Sequence, residues 1–367
     1  RMISILKSNK NKKNELLRNS KSEFRIIVRF FLWSKCFCPS PFLFLLIFFH
    51  FIGKGVKNVI NNKNLILGPQ QIITVFEALS TIPENLDIIR AREVWSQSKQ
   101  GDGIIVATID TGVEKEHPDL KDNIISGYNF TADDSPNVFK DYTGHGTHVA
   151  GIIAASDNGK GIVGVAPKSK ILALKVIDRN GLGSYENLIR AIHYATHWIG
   201  DNGERVNIIN MSLGGQEPNN LLHKAIKEAR QKGIVLVSAA GNEGDGEDES
   251  FERSYPGYYK EVIQIGSITR DFRPSVFSNT NVNLDFVAPG EDVLSTHLNG
   301  RYVQLSGTSM AAPYVAGAAA LILKIIDPDN LNPPMIPYLV YQYLLEHKKP
   351  LNFSFNQVGN GLIQLTT

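Results

Sequence analysis

Between residues 104 and 265, short apolar runs bounded by Gly or Asn alternate with amphipathic stretches. The runs 104–109, 171–177, 206–211, 234–238 and 262–265 are too short for helices and predict buried strands. Residues 186–198, 221–231 and 310–326 carry helical periodicity. A last helix is expected near 338–347, after a turn marked by three prolines in 332–337. The strands are apolar throughout instead of alternating, so both faces of their sheet must be covered. The fold class that follows is three-layer α/β, with a central, mostly parallel sheet flanked by helices. Ligands in such domains gather at the carboxyl ends of the strands, and Asp110, Ser212 and Asn242 each follow one of the runs.

At 367 residues the chain has room for one large domain and requires no second. Charge nevertheless divides it. Residues 1–64 hold 13 Lys+Arg against 2 Asp+Glu, a net of +11, whereas residues 65–367 hold 25 against 34, a net of −9. The acidic larger part argues against a nucleic-acid partner. The first 64 residues also contain 9 of the 18 Phe and both cysteines, Cys36 and Cys38. Three readings stay open for them: translated AT-rich sequence upstream of the true start, a signal or anchor, or a soluble extension. A basic start before the apolar run 42–52 suits a signal. Lys35, Pro39 and Pro41 interrupt the wider stretch, and the run is too short to span a bilayer. Membrane contact is expected only if this segment is a true anchor. Residues 65–367 have no cysteine, which fits a reducing cytoplasm and a disulfide-free secreted protein alike.

Three separated segments carry the chemistry. One ends in Asp110-Thr111-Gly112, a second reads GHGTHVAG from Gly144 to Gly151, and the third reads GTSMAAP from Gly307 to Pro313. Nucleophilic acyl transfer needs such a set. Serine is a weak nucleophile, so an imidazole must take its proton, and a buried carboxylate must hold that imidazole in the right tautomer. Ser309 is the expected nucleophile, at the start of a helix whose N-terminus favours developing negative charge. His145 is the expected base and Asp110 its orienting acid, since an aspartate ending an apolar strand is costly without a partner. Singly these residues have plainer roles, a helix-capping serine or a turn aspartate, and the joint occurrence of all three blocks outweighs them. His148 lies on the same helix side as His145. With no third ligand nearby and no HExxH pattern, the pair does not indicate zinc.

The chain resembles the subtilisin-family serine proteases, and within them the intracellular subtilisins of bacilli. The resemblance runs from about residue 67 to 367 on FKDYTGHGTHVAG, NMSLGG, AAGNEGDGEDE, VAPGEDVLST, SGTSMAAP and NGLIQLT, and Asp, His, Ser is the subtilisin order. It implies a subtilisin-like peptidase domain over 84–367 and a broad-specificity serine endopeptidase acting on polypeptides through an acyl-enzyme. Asn242 is then the expected oxyanion donor beside the Ser309 N–H, although Gly-Asn is also an ordinary turn signal. Ser212, Leu213 and Gly214 would form one edge of the substrate cleft by strand addition. Ala239, Ala240 and Gly241 would wall a roomy S1 pocket with Glu243 near its mouth. Calcium is the implied cofactor, held by Asp119, the side-chain oxygen of Asn158 and the carbonyls of Ser156, Lys160 and Ile162. The family's glutamine ligand would fall near Ser80, where it is absent. Tyr255–Pro256 aligns with a cis peptide beside the S1 pocket.

Residues 65–83 align with an inhibitory extension, Leu67-Gly68-Pro69-Gln70 standing where the family has a cleft-blocking LIPY-type segment. Gly68 and Gln70 replace its apolar and aromatic residues. A homodimer and a cytoplasmic location are implied by the resemblance alone. The alternatives are a secreted or membrane-anchored subtilase that trims peptide leaders and, in another class, an inactive protease-like binding module, which the unbroken triad and Asn242 disfavour.

Overall fold

The computed structural model describes residues 64–66, 75–76 and 80–367, so the basic, Phe-rich segment 1–63 and the LGPQ segment lie outside the described residues. In chain order the strands are β1 (Asn64–Ile66), β2 (Val75–Phe76), β3 (Ser80–Thr81), β4 (Ile105–Asp110), β5 (Ile124–Asn129), β6 (Gly161–Ile162) and β7 (Lys170–Lys175). There follow β8 (Leu182–Ser184), β9 (Ile208–Met211), β10 (Val235–Ala239), β11 (Ile263–Ile268), β12 (Phe286–Pro289), β13 (Val293–His297) and β14 (Arg301–Leu305). The longer helices are α1 (His145–Ala154), α2 (Tyr185–His197), α3 (Asn220–Gln231), α4 (Thr308–Ile326) and α5 (Ile336–His347). Every strand and helix expected from the apolar pattern is present.

Seven strands form one parallel sheet in the order β12-β11-β10-β9-β4-β7-β5. Successive residues of a strand point to opposite faces. Val106 therefore packs into the layer of α1 and α4, while Ile105, Ala107 and Ile109 pack into the layer of α2 and α3. Both layers are apolar, which is why the strand sequences do not alternate. Ser184 caps α2 by accepting from Asn187 N, and Asn219 caps α3 by accepting from Leu221 N and Leu222 N. Leu222, Ala225, Ile226 and Ala229 give α3 one buried stripe, in which truncating Ile226 to Ala should cost about 2–5 kcal/mol. Helix α4 is apolar on every side. Its composition would suit a membrane span, but 83% of that window is buried, so it is the central core helix.

The pattern did not predict β5, β12 or the β13–β14 hairpin. Strand β5 reads IISGYN, broken by Ser126-Gly127 and partly exposed at the sheet's edge. The described N-terminal strands are short and pair with different edges: β1 antiparallel with β8, β2 antiparallel with β14, and β3 parallel with β6.

Candidate active site

Strands β4 and β9 are parallel neighbours with Ile109 opposite Met211. Their next residues, Asp110 and Ser212, therefore leave adjacent strands side by side, about 4.8 Å apart. Helix α1 is seated on this edge by two glycines. Gly144 caps it at φ +92°, where a Cβ would overlap the His297 ring, and a Cβ on Gly146 would overlap the carbonyl of Gly112. The GHG sequence thus brings His145 directly onto the Asp-Thr-Gly turn. His145 Nδ1 lies 2.7 Å from Asp110 Oδ1, with both side chains almost wholly buried. That oxygen also accepts from Thr111 N at 2.7 Å. Asp110 Oδ2 is buried with no hydrogen-bond partner among the described residues. Nδ1–H donating to the carboxylate leaves the Nε2 lone pair free. Burial opposes the charged ring of His145, yet the charge and hydrogen bond of Asp110 and the charge of Asp141 outweigh it and raise its pKa above the ordinary 6.5.

Ser309 is the second residue of α4, so its N–H has no helical acceptor four residues back. Pro313 stands four residues after it and has no N–H to give to the Ser309 carbonyl. Ser212 fills the gap: its Oγ donates to Ser309 O at 2.9 Å, and Ser309 Oγ donates to Ser212 O at 3.0 Å. This reciprocal pair fixes the start of α4 to the end of β9. It also departs from the expected contact, because the serine hydroxyl is turned to Ser212 and makes no hydrogen bond to His145.

Asn242 is held by Thr308, whose N and Oγ1 both donate to its Oδ1 at 2.9 Å. With the oxygen so occupied, the amide Nδ2 is left for the cleft. Ser212, Leu213, Gly214, Ala239, Gly241, Glu243 and Ser254 line that cleft beside Asn242 and Ser309. Ala240 does not line it. It is fully buried, with its N–H on Ile265 O and its carbonyl accepting from Asn279 Nδ2, both at 2.9 Å. Of the three residues expected to wall the pocket, Ala239 and Gly241 line the cleft. Tyr255–Pro256 is cis.

Three supporting residues escape a reading of motifs alone. Asp141 is fully buried. Its Oδ1 accepts from Thr111 Oγ1, Thr143 N and Gly144 N, all at 2.9 Å, and its Oδ2 accepts from Thr147 N at 2.9 Å and Thr147 Oγ1 at 2.7 Å. It stitches the Asp-Thr-Gly turn to the first turn of α1. The available signal was an aspartate just ahead of a helix start. Lys175 is also fully buried, its Nζ donating to the carbonyls of Thr111 and Ile177 at 2.8 Å, with Asp133 3.6 Å away. Thr308, the third, orients Asn242. His148 has a different role from its neighbour His145: its Nε2 faces the carbonyls of Val293 and Val303 at 2.9 and 3.2 Å. Burial, with the nearby charge of His145, pushes its pKa down to about 3, so it stays neutral and pins α1 to the β13–β14 hairpin.

The residues of the implied calcium site come together. Asp119 is buried, with loop 156–162 wrapped around it. Its carbonyl accepts from Ser156 N at 2.8 Å, and its carboxylate accepts from Ile162 N at 2.9 Å, Tyr302 Oη at 2.9 Å and Asn158 Nδ2 at 3.2 Å. A Cβ on Gly161 would fill the space beside the carboxylate. Asn158 differs from expectation. Its Oδ1 accepts from Lys160 N at 2.9 Å and its amide nitrogen faces Asp119, so the side chain must turn before its oxygen can meet a cation. The oxygen-rich donor set fits a hard ion.

A family model described as "Subtilase family" matches residues 101–361. An intracellular serine protease of Paenibacillus polymyxa is 47% identical over 300 residues, covering 81% of this chain and 90% of its own length. The major intracellular serine protease of Bacillus subtilis is 45% identical over 300 residues, covering 81% and 91%. Subtilisin E of Bacillus subtilis is 40% identical over 248 residues, covering 68% and 62%. A match across nearly the whole described domain, laid over an Asp–His pair on one strand end and a serine locked to the next, leaves one conclusion: the chain belongs to the subtilase family and is a subtilisin-type serine protease.

Proposed function

We propose that Ser309, His145, Asp110 and Asn242 carry the hydrolysis of polypeptides. The observation behind this is the buried 2.7 Å Asp110–His145 contact, which leaves Nε2 as acceptor at the strand edge where Ser309 is anchored. Ser309 Oγ turns from Ser212 to His145 and gives its proton to Nε2 as it bonds to the scissile carbonyl carbon. The carbonyl π electrons move to oxygen, where the Ser309 N–H and Asn242 Nδ2 receive them. The C–N bond then breaks as His145 returns the proton to the leaving amine, and water repeats the sequence on the acyl-enzyme. A sulfonyl fluoride should add one sulfonyl group to the peptide containing Ser309, and His145→Ala should slow that labelling sharply. A label elsewhere, or none, would remove Ser309 as nucleophile.

The alignments with the two intracellular proteases reach over 300 residues against 248 for subtilisin E, which supports a cytoplasmic enzyme over a secreted one. The strand β1 supports self-inhibition by residues 65–83. It adds antiparallel to β8 with Leu65 wholly buried, the manner in which an extended peptide docks on a sheet edge. The chain starting at Leu65 should then begin slowly and accelerate, while a chain starting at Ser80 is active at once; equal initial rates would sink this. Asp119, Asn158 and the carbonyls of Ser156, Lys160 and Ile162 would hold calcium, which stabilises the native state by mass action. The homodimer rests on resemblance, and the mass in solution decides it.

A further inference from the structure

We propose that His193, His197 and Glu228 form a binding site for a divalent cation of the zinc class, which clips α2 to α3. These helices cover the sheet face opposite α1 and α4. His193 and His197 are four residues apart on α2 and so share one side of it. Glu228 comes from the last turn of α3. The three ligand groups lie within 4.8 Å of one another.

Both contacts are longer than a good hydrogen bond, and each imidazole faces its own oxygen of the carboxylate, leaving a gap between the three groups. His193 Nδ1 is 3.4 Å from Glu228 Oε2, and His197 Nε2 is 3.3 Å from Glu228 Oε1. A charge-assisted hydrogen bond is about 2.7–2.9 Å long. The molecule contains such a pair for comparison, His223 with Glu261 at 2.8 Å. Ligand atoms about 2.0–2.1 Å from a tetrahedral zinc stand about 3.3–3.4 Å apart, so a small closure of the three side chains would bring them onto one ion.

The tautomer adds to this. His197 Nδ1 faces the carbonyl of His193 at 2.9 Å, the outer contact that orients a metal-binding imidazole. In the neutral ring with Nδ1–H donating, Nε2 is an acceptor facing the acceptor Oε1, and a cation between them makes the contact favourable. His197 and Glu228 also sit at the C-terminal ends of their helices, where the backbone dipole favours positive charge. Two imidazoles select zinc, nickel or copper over calcium and magnesium. All three side chains are partly exposed, so an ion can enter and a fourth ligand can be water.

The test is calorimetric titration of Zn²⁺ into the full chain, with calcium held constant, alongside His197→Ala and Glu228→Gln. The parent should bind one Zn²⁺ that each variant binds at least about tenfold more weakly. Zn²⁺ should raise the melting temperature of the parent and of neither variant, while all three hydrolyse peptide equally without zinc. Equal zinc affinity in parent and variants would place the ion elsewhere and overturn the proposal, as would no binding to the parent.

Discussion

Two buried aspartates flank the start of α1, and they are satisfied in opposite ways. Asp141 has both oxygens surrounded by backbone and threonine donors. Asp110 has one oxygen on His145 and Thr111 N and the other without a partner among the described residues. A carboxylate saturated by fixed donors has nothing to gain from a change in its surroundings and serves as an anchor. One left short of donors gains when the imidazole beside it becomes positive, because low polarity magnifies that attraction. The difference separates the part of the site that is built from the part that reacts.

The sharpest break between them is chemical. Ser309→Ala should remove turnover by about 10⁶-fold, a scale taken over from subtilisin itself, and lower stability by only about 1 kcal/mol through loss of the hydrogen bond to Ser212 O. Peptide hydrolysis and thermal unfolding of the same preparation check both halves. Asp110→Asn comes next, with a loss of about 10⁴-fold because the imidazole loses the partner that holds its tautomer. Its stability should hold or rise slightly, since a buried charge with an unpaired oxygen is removed. A marked drop in stability would place Asp110 with the anchors.

How far the sequence discloses this contrast depends on distance along the chain. The strands and large helices are legible because their apolar period is local, and the triad because each member sits in a distinctive short block. Asp141 lies inside one of those blocks, yet its role depends on Thr111, thirty residues away, and no local pattern reports that. The Ser212–Ser309 exchange is half legible: Pro313 announces an unpaired carbonyl at Ser309, but only the parallel register of β4 and β9 shows what fills it. Ala240 fails for the same reason. Its N–H and carbonyl are taken up by Ile265 and Asn279, partners distant in sequence that the local motif does not report.

The anchor should break differently from the reacting acid. Asp141→Ala removes the acceptor of several buried donors and should cost on the order of 3–5 kcal/mol, read by denaturant unfolding in a Ser309→Ala background that prevents self-digestion. A third buried aspartate, Asp119, lies between the two cases, with three donors on its carboxylate and a loop that can turn an oxygen toward a cation. Chelation should lower stability by about 2.7 kcal/mol if free calcium stood at a hundred times its dissociation constant. Asp119→Ala should abolish that sensitivity. A melting curve indifferent to chelator would move Asp119 to the side of Asp141.

The smallest effect tests whether the anchor also speaks to the chemistry. His145 must be neutral to accept the Ser309 proton, and its pKa is raised above 6.5, burial being outweighed by Asp110 and, to a smaller degree, by the charge of Asp141. At pH 6.5 most of the enzyme is then in the inactive imidazolium form, and kcat/KM climbs as pH rises through the raised value. The same shift gives the folded state stability that is present below pH 6.5 and lost as pH passes the folded pKa. Asp141→Asn keeps the shape of the side chain and removes its charge, so the acidic limb of the pH–rate profile should move to lower pH. Loss of activity at every pH with the limb unmoved would show that Asp141 acts only as an anchor.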